Sequence, residues 1–565
     1  GGGGVGFCGA GRLCRYCGIG RTVELRSPIG IAASVETSGA IPSSSVAILI
    51  HRVRISVFAS TCSLQHLRAN KTRSSKERRN IGGFSRRIRL RYGSRLVEAS
   101  MVTVIRNGTL VTASDTFSAN LWMEGGKIVN HSHPSQPIPT GGDVRVIDAS
   151  GCYVIPGGID AHTHLDMPFG GTTSSDDFLT GTRAAAYGGT TTIIDFAIQQ
   201  KGGTLRQALD TWHQKAESKA CIDYAFHMIA TDAPQSVLTE MGEVVKEGVT
   251  SFKLFMAYPG VLLLDDQSIF RCMLRAGEIG ALICMHAEHG LPIDVLVERA
   301  IAQGHTAPIY HALTRPEVAE ATGTERAIAL AEMAKVPVYI VHLSAARALD
   351  RVREARDRGL PAYAETCPQY LFLSEDDLRG TPDDPFDGAK YVCTPPLRPQ
   401  SFHDHLWRGL RNHDLQVVST DHCPFCMKDQ KELGRDSFAK VPNGMPGIET
   451  RLHLMFEAVA EGKLSLNRFV EITSTAPAKI FGLYPRKGSI SVGSDADVVV
   501  WDPKRALKLS HENLHMRVDY AAYPNKTVPG SPRYVFSRGE LVVSQGSYVS
   551  RPGHGQFVRR STFSL

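Results

Sequence analysis

The chain has 565 residues, 42% of them hydrophobic and 21% charged, the balance of a soluble globular protein long enough to bury more than one core. No run approaches the ~18 uninterrupted apolar residues that span a bilayer, and the twelve cysteines are too scattered for a disulfide framework, so they are expected as buried, reduced thiols of a cytoplasmic protein. The net charge of +7 is uneven: residues 1–100 carry 17 Lys and Arg against four acids (Glu24, Glu36, Glu77 and Glu98), so the remainder is net acidic, which excludes a nucleic-acid role for the main body.

The first hundred residues are rich in Arg, Ser and Gly and lack the periodicity that builds a core. The chain opens on four glycines and its first methionine is Met101. The leading expectation is a translated upstream region foreign to the natural protein. An organelle transit segment, which would change the location, and a basic arm over Lys71–Arg91 are the alternatives. From Met101 the pattern changes. Residues 101–150 read as short strands, with Asn107-Gly108 and Gly125-Gly126 as hairpin turns. A second β region spans 481–545, including Lys487–Trp501 and the runs at Tyr534 and Leu541. The two pieces are expected to form one small β-sandwich from both ends of the chain, followed by a tail over 546–565.

Between them, residues 151–480 alternate strand and helix signals. Apolar, β-branched runs fall at Val154–Asp160, Thr190–Phe196, Ile222–Met228, Thr250–Met256, Leu282–His286, Val336–His342, Leu360–Glu365 and Leu415–Asp421. Helical stretches separate most of them, among them Leu205–Lys219, Gln235–Lys246, Asp265–Ile279, Pro316–Ala334 and Ala345–Arg358. Eight such repeats predict an α/β fold, a TIM (β/α)8 barrel. The rival open, doubly wound sheet would need a G-x-G-x-x-G turn after its first strand, and none is present.

Barrel enzymes collect their functional groups at the C-terminal ends of the strands. Here the first strand runs into His162-Thr-His164, the fourth holds Lys253, and the fifth, sixth and eighth end at His286, His342 and Asp421. Residues i and i+2 of an extended segment face the same way, so both imidazoles of the first pair can reach one metal. Alone, such a pair is more often solvated or satisfied in a core; with four other strand ends it reads as part of a metal site. Lys253 sits in Ser251-Phe-Lys-Leu-Phe-Met, where a protonated amine is costly to bury. A snorkelling or salt-bridged lysine is the bland reading. The functional one is a neutral amine that takes up carbon dioxide, giving a carbamate able to bridge two metals.

His162-Thr-His164, Ser251-Phe-Lys253-Leu-Phe-Met-Ala-Tyr258, His286-Ala-Glu-His289, Ile340-Val-His342-Leu, Ser419-Thr-Asp421-His and Pro442-Asn443-Gly together resemble the motifs of the dihydropyrimidinase and hydantoinase family of cyclic amidohydrolases. The resemblance covers about residues 102–540. It implies two divalent metal ions per subunit, zinc being usual: one held by His162, His164, carboxylated Lys253 and Asp421, the other by the same carbamate with His286 and His342. It further implies that Asp421 moves the water proton to the leaving nitrogen, that Tyr258 supports the oxyanion, and that Thr394 and Asn443 hold the amide edge of a small cyclic imide. A homotetramer is implied as well.

The arginine that dihydroorotase-like enzymes place after the histidine pair is replaced here by Leu165-Asp166-Met167-Pro168-Phe169. Met167, Phe169 and Phe255 therefore suggest an apolar lining, suited to dihydropyrimidines or 5-substituted hydantoins, although ordinary packing would use the same residues. Allantoinase or dihydroorotase activity at the same centre is the alternative, and a non-catalytic scaffold the further one. Cys423-Pro-Phe-Cys426 is read as structural, since a single pair supplies only two of four zinc ligands. Gly188-Gly189 is read as a helix-to-strand turn.

Overall fold

A computed structural model describes residues 101–139, 141 and 144–563; the basic segment 1–100, with the three readings of it, lies outside the described residues. Eight parallel strands follow one another in chain order: β1 Gly158–Thr163, β2 Thr190–Ile198, β3 Asp223–Ile229, β4 Ser251–Phe255, β5 Leu282–His286, β6 Val338–Ile340, β7 Ala362–Thr366 and β8 Val417–Val418. A parallel bridge between Thr163 and His422 brings β8 back to β1, and the His164 N–H donates to the His422 carbonyl at 2.8 Å. Helices over Leu205–Ala216, Gln235–Lys246, Asp266–Ile279, Glu317–Ala334 and Ala346–Asp357 pack outside the strands.

All eight anticipated strands are present, but the first is shorter than its apolar run Val154–Asp160. Tyr153–Pro156 pairs with Val498–Asp502 and with Thr109–Val111 in the seven-stranded sheet of the sandwich, and the barrel begins only at Gly158. One apolar run thus serves two sheets. A Cβ at Gly157 would lie 2.0 Å from the Thr191 hydroxyl, so the crossing between them requires glycine. Asn107-Gly108 is also not a hairpin. Val102–Arg106 belongs to a four-stranded sheet and Thr109–Val111 to the seven-stranded one, so the pair turns a corner between sheets. Gly125-Gly126 does close a hairpin, with φ of 57° and 78°.

The sandwich core joins the two ends of the chain: Ile105, Leu121 and Val154 pack with Ile490, Val500 and Phe536. Where the sandwich meets the barrel floor, the buried Lys487 ammonium binds Asp223 (2.5 Å), Asp497 (2.6 Å) and Asp495 (3.1 Å). These carboxylates have metal-like spacing, and Lys487, Lys127, Arg486 and Arg538 together pair with them. The tail is built into the same floor. Val558 donates its N–H to Tyr224 at 2.7 Å, and Arg560 reaches the Phe226 carbonyl at 2.5 Å and the Ser251 hydroxyl at 2.8 Å. Phe481, Leu483 and Val558 close the lumen beneath Ile194, Ala225, Cys284 and Tyr339. The eight described cysteines are free, seven of them buried. Among the described residues no helix is long and apolar enough to cross a membrane.

Candidate metal centre

The opposite end of the lumen is polar. His162, near the end of β1, turns Nδ1 to Glu365 Oε1 at 2.5 Å. Glu365 also accepts the His342 N–H at 3.3 Å and the Tyr339 hydroxyl at 2.9 Å, and burial pushes its carboxyl pKa up to about 8. In the tautomer that gives Nδ1–H to Glu365, Nε2 of His162 is bare. It lies 3.2 Å from His164 Nε2, 2.9 Å from Lys253 Nζ and 3.2 Å from Asp421 Oδ1, which is itself 3.1 Å from His164 Nε2. Burial, then the charge of Lys253, hold the His162 pKa well below the usual imidazole range.

A second convergence lies beside the first. His286, the last residue of β5, gives Nε2–H to Glu288 Oε2 at 2.9 Å and turns Nδ1 to His342 Nε2 at 3.0 Å. Burial opposes the Glu288 carboxylate, but the hydrogen bond and charge of His286 still leave its pKa below the ordinary value. Burial, followed by Lys253, likewise keeps His342 neutral. Nδ1 of His164 and Nδ1 of His342 are buried and have no hydrogen-bond partner. Several bare or unpartnered imidazole nitrogens and one carboxylate, all buried, form a donor set suited to divalent transition metals. Three of them, on His162, His164 and Asp421, lie within 4.8 Å of one another.

Lys253 stands between these groups. It is 1% exposed, and its Nζ lies over the rings of Phe196 and Phe255 at 4.5 and 5.0 Å. Burial lowers its pKa against the opposing pull of Asp421 and Glu365.

The backbone is bent to deliver these side chains. Tyr258, His342 and Asp421 follow β4, β6 and β8, and all three have positive φ, 63°, 39° and 52°. A non-glycine residue held there costs on the order of 1–3 kcal/mol. Two buried acids restrain the flanking chain. Asp160 accepts from Thr420 N (3.1 Å) and Oγ1 (2.6 Å), next to Asp421. Asp195 accepts from Thr163 Oγ1 (2.7 Å) and Leu165 N (2.9 Å), on either side of His164.

A small cleft, open to solvent, lies over the metal-ligand candidates. Its wall includes His164, Lys253, His286, His342 and Asp421, and also Met167, Phe169, Phe255, Tyr258, Thr394 and Asn443; His162 lies beneath, fully buried. Every site residue singled out in the sequence thus lines the cleft or sits directly below it. Phe169 is carried on a small hairpin, Pro168–Phe169 against Thr172–Thr173, and meets Tyr258 edge-on at 5.7 Å. Asn443 Nδ2 donates to Thr394 Oγ1 at 2.9 Å, and that hydroxyl is 3.1 Å from His311 Nε2. Burial raises the Tyr258 pKa, keeping the phenol protonated.

From the sequence alone no role falls to Glu365, Glu288, Leu262 or Gly444, and Cys423 reads as structural. Glu288 had a signal, standing two residues beyond His286. So did Glu365, an acid ending an apolar strand. Cys423 lines the cleft and Cys426 is half-buried, and neither belongs to a candidate metal-ligand cluster among the described residues.

Residues 153–542 match the family model described as Amidohydrolase family. The chain is 55% identical over 461 residues to a D-hydantoinase of Streptomyces coelicolor, covering 81% of this chain and 98% of that one. It is 49% identical over 465 residues to a D-hydantoinase of Geobacillus stearothermophilus, covering 82% and 97%. The crystal structure of dihydropyrimidinase from Brevibacillus agri NCHU1002 superposes with a TM-score of 0.80 at 52% identity, over 82% of this chain and all of that one.

Proposed function

The chain belongs to the amidohydrolase family, and from that premise we infer that it is a metal-dependent cyclic amidohydrolase of the hydantoinase and dihydropyrimidinase group, opening dihydropyrimidines or 5-substituted hydantoins to N-carbamoyl amino acids. The observation that carries the reading is the convergence of His162, His164, Lys253, His286, His342 and Asp421 from five strand ends at one cleft.

In this reading His162, His164 and Asp421 would hold one divalent metal and His286 and His342 a second, with Lys253, as its carbamate, supplying an oxygen ligand between these two groups. Zinc fits the imidazole and oxygen donors. When bound, such a pair supplies Lewis acidity and water activated near neutral pH. The chain's own groups do the rest. The Asp421 carboxylate takes the proton of the attacking water and passes it to the ring nitrogen as the C–N bond breaks. The protonated Tyr258 hydroxyl donates to the oxygen of the carbonyl under attack, where negative charge develops. Thr394 and Asn443 hold the amide edge of the ring, and Met167, Phe169 and Phe255 take its 5-substituent. The described cleft wall includes no arginine, which disfavours a carboxylate-bearing ring such as dihydroorotate. We carry a homotetramer as part of the same reading.

The test is turnover of dihydrouracil, a 5-substituted hydantoin, allantoin and dihydroorotate, with metal analysis of the wild type and Lys253→Ala. Ring opening of the first two, and loss of both metal and activity in the variant, are expected. An active, fully metallated Lys253→Ala would sink the carbamate role. Turnover confined to allantoin or dihydroorotate would overturn the substrate assignment.

A further inference from the structure

The loop beyond Asp421 turns back behind the cleft wall, and it buries a second lysine. Lys431 is wholly inaccessible. Among the described residues its Nζ has no carboxylate partner; it donates to three backbone carbonyls, Val392 at 3.1 Å, Pro442 at 2.8 Å and Gly444 at 2.8 Å. The ring of Phe425 lies 5.8 Å from the same atom. Burying an ammonium this way is costly, and it pushes the Lys431 pKa down to about 7. Only the carbonyl dipoles and the ring face offset that cost, so the cation is strongly coupled to the geometry of those three carbonyls.

The carbonyls are placed where the cleft is made. Val392 lies two residues before Thr394, and Pro442 and Gly444 flank Asn443. The two segments already touch, since Gly444 N–H donates to the Val392 carbonyl at 2.9 Å. Gly444 itself is forced, because a Cβ there would lie 2.1 Å from the Cys423 carbonyl. The neighbouring Gln430 ties a third wall into the same loop: its Nε2 donates to Thr172 Oγ1 at 3.0 Å and to the Thr173 carbonyl at 2.7 Å, on the hairpin that carries Phe169.

We propose that Lys431 is a positioning residue for substrate binding: its ammonium pins the backbone of residues 392–394 to that of residues 442–444, and so sets the spacing of the Thr394 and Asn443 groups that grip the ring. The link to substrate rests on the hydrolase reading above; the clamp itself does not. Three N–H bonds radiating from one nitrogen are what an ammonium supplies and a neutral side chain of equal length does not.

The experiment compares the full-length, metal-loaded wild type with Lys431→Met and Lys431→Gln. Lys431→Met keeps the bulk and removes all three donors; Lys431→Gln keeps two and serves if the first variant does not fold. Hydrogen exchange is expected to rise by about tenfold or more in segments 392–398 and 441–447, and less elsewhere in the barrel. KM for a hydantoin or dihydropyrimidine is expected to rise about 10- to 100-fold in Lys431→Met with a smaller change in kcat, because the gripping groups move while the metal ligands stay. Metal content is expected to be unchanged, and Lys431→Gln to fall between wild type and Lys431→Met. Wild-type exchange rates in both segments of whichever variant folds would overturn the clamp. Loosened segments with an unchanged KM would overturn its role in substrate binding. A wild type that opens no cyclic imide, while the variants loosen both segments, would defeat the functional reading and leave the clamp standing.

Discussion

Ser251 and Lys253 stand two residues apart on β4 and both face the lumen, yet their surroundings are opposite. The Ser251 hydroxyl is bonded to His227 Nδ1 at 2.5 Å and to Arg560 Nη2 at 2.8 Å, part of a floor in which Arg560 also holds the Phe226 carbonyl. Lys253 is equally buried but meets only a bare imidazole nitrogen and two ring faces. The same division runs through the barrel. The floor satisfies most of its polar groups, Arg560 Nε being an exception, and is packed by Phe481 and Val558. The rim holds two unpartnered histidine nitrogens and three residues bent into positive φ. Unsatisfied groups and backbone strain are tolerated where a bound ligand completes them; the floor stabilises the barrel that holds them in place.

That contrast can be broken most directly at Asp421. Asp421→Asn is expected to lower kcat on the order of 10⁴-fold, the upper range for a lost proton-transfer group, while the melting temperature stays near that of the wild type. A variant that kept its rate would remove the proton shuttle from the rim. Next is Tyr258→Phe, for which kcat should fall by about 10²–10³-fold with KM changing less, as when one oxyanion donor is removed. An effect on KM alone would make Tyr258 a binding group.

Glu365→Gln probes the layer between rim and floor. Losing the carboxylate that holds His162 Nδ1–H should weaken metal binding by about 10–100-fold, measured by chelator competition. Unchanged affinity would show that β1 alone orients the imidazole. The smallest effect on function belongs to the floor. Arg560→Met should cost about 2 kcal/mol of stability in denaturant unfolding, from the lost charge-assisted hydrogen bonds, with kcat/KM and metal content unchanged at 25 °C. A loss of activity there would mean that floor and rim are coupled and that the contrast is false.

What the sequence made legible follows from local periodicity. His162 and His164 face one way because a strand repeats every two residues, and His286, His342 and Asp421 converge because a parallel barrel gathers its strand ends. What it hid is set at long range. Glu365 meets His162 across 203 residues, and Lys431 meets Val392 from a loop with no regular pattern. The run at Val154 misled because a strand of the sandwich and the first strand of the barrel are both apolar and only two residues apart; nothing local marks Gly157 as the crossing. Asn107-Gly108 has the composition of a hairpin, but which sheet each flanking strand joins is decided by partners far along the chain.

The seven-stranded sheet also puts a clock on biosynthesis. Tyr153–Pro156 pairs with Val498–Asp502, about 340 residues downstream. At translation rates of about 5–20 residues per second, roughly 20 to 70 s pass before that partner is made. Until then this edge of Tyr153–Pro156 lacks its partner, while the barrel strands are completed at Val418, about 80 residues earlier. Such an edge is a place where a nascent chain aggregates or is captured by a chaperone. Pairing of this sheet therefore waits on residues 498–502, which follow the last candidate metal ligand, Asp421, by about 4 to 15 s.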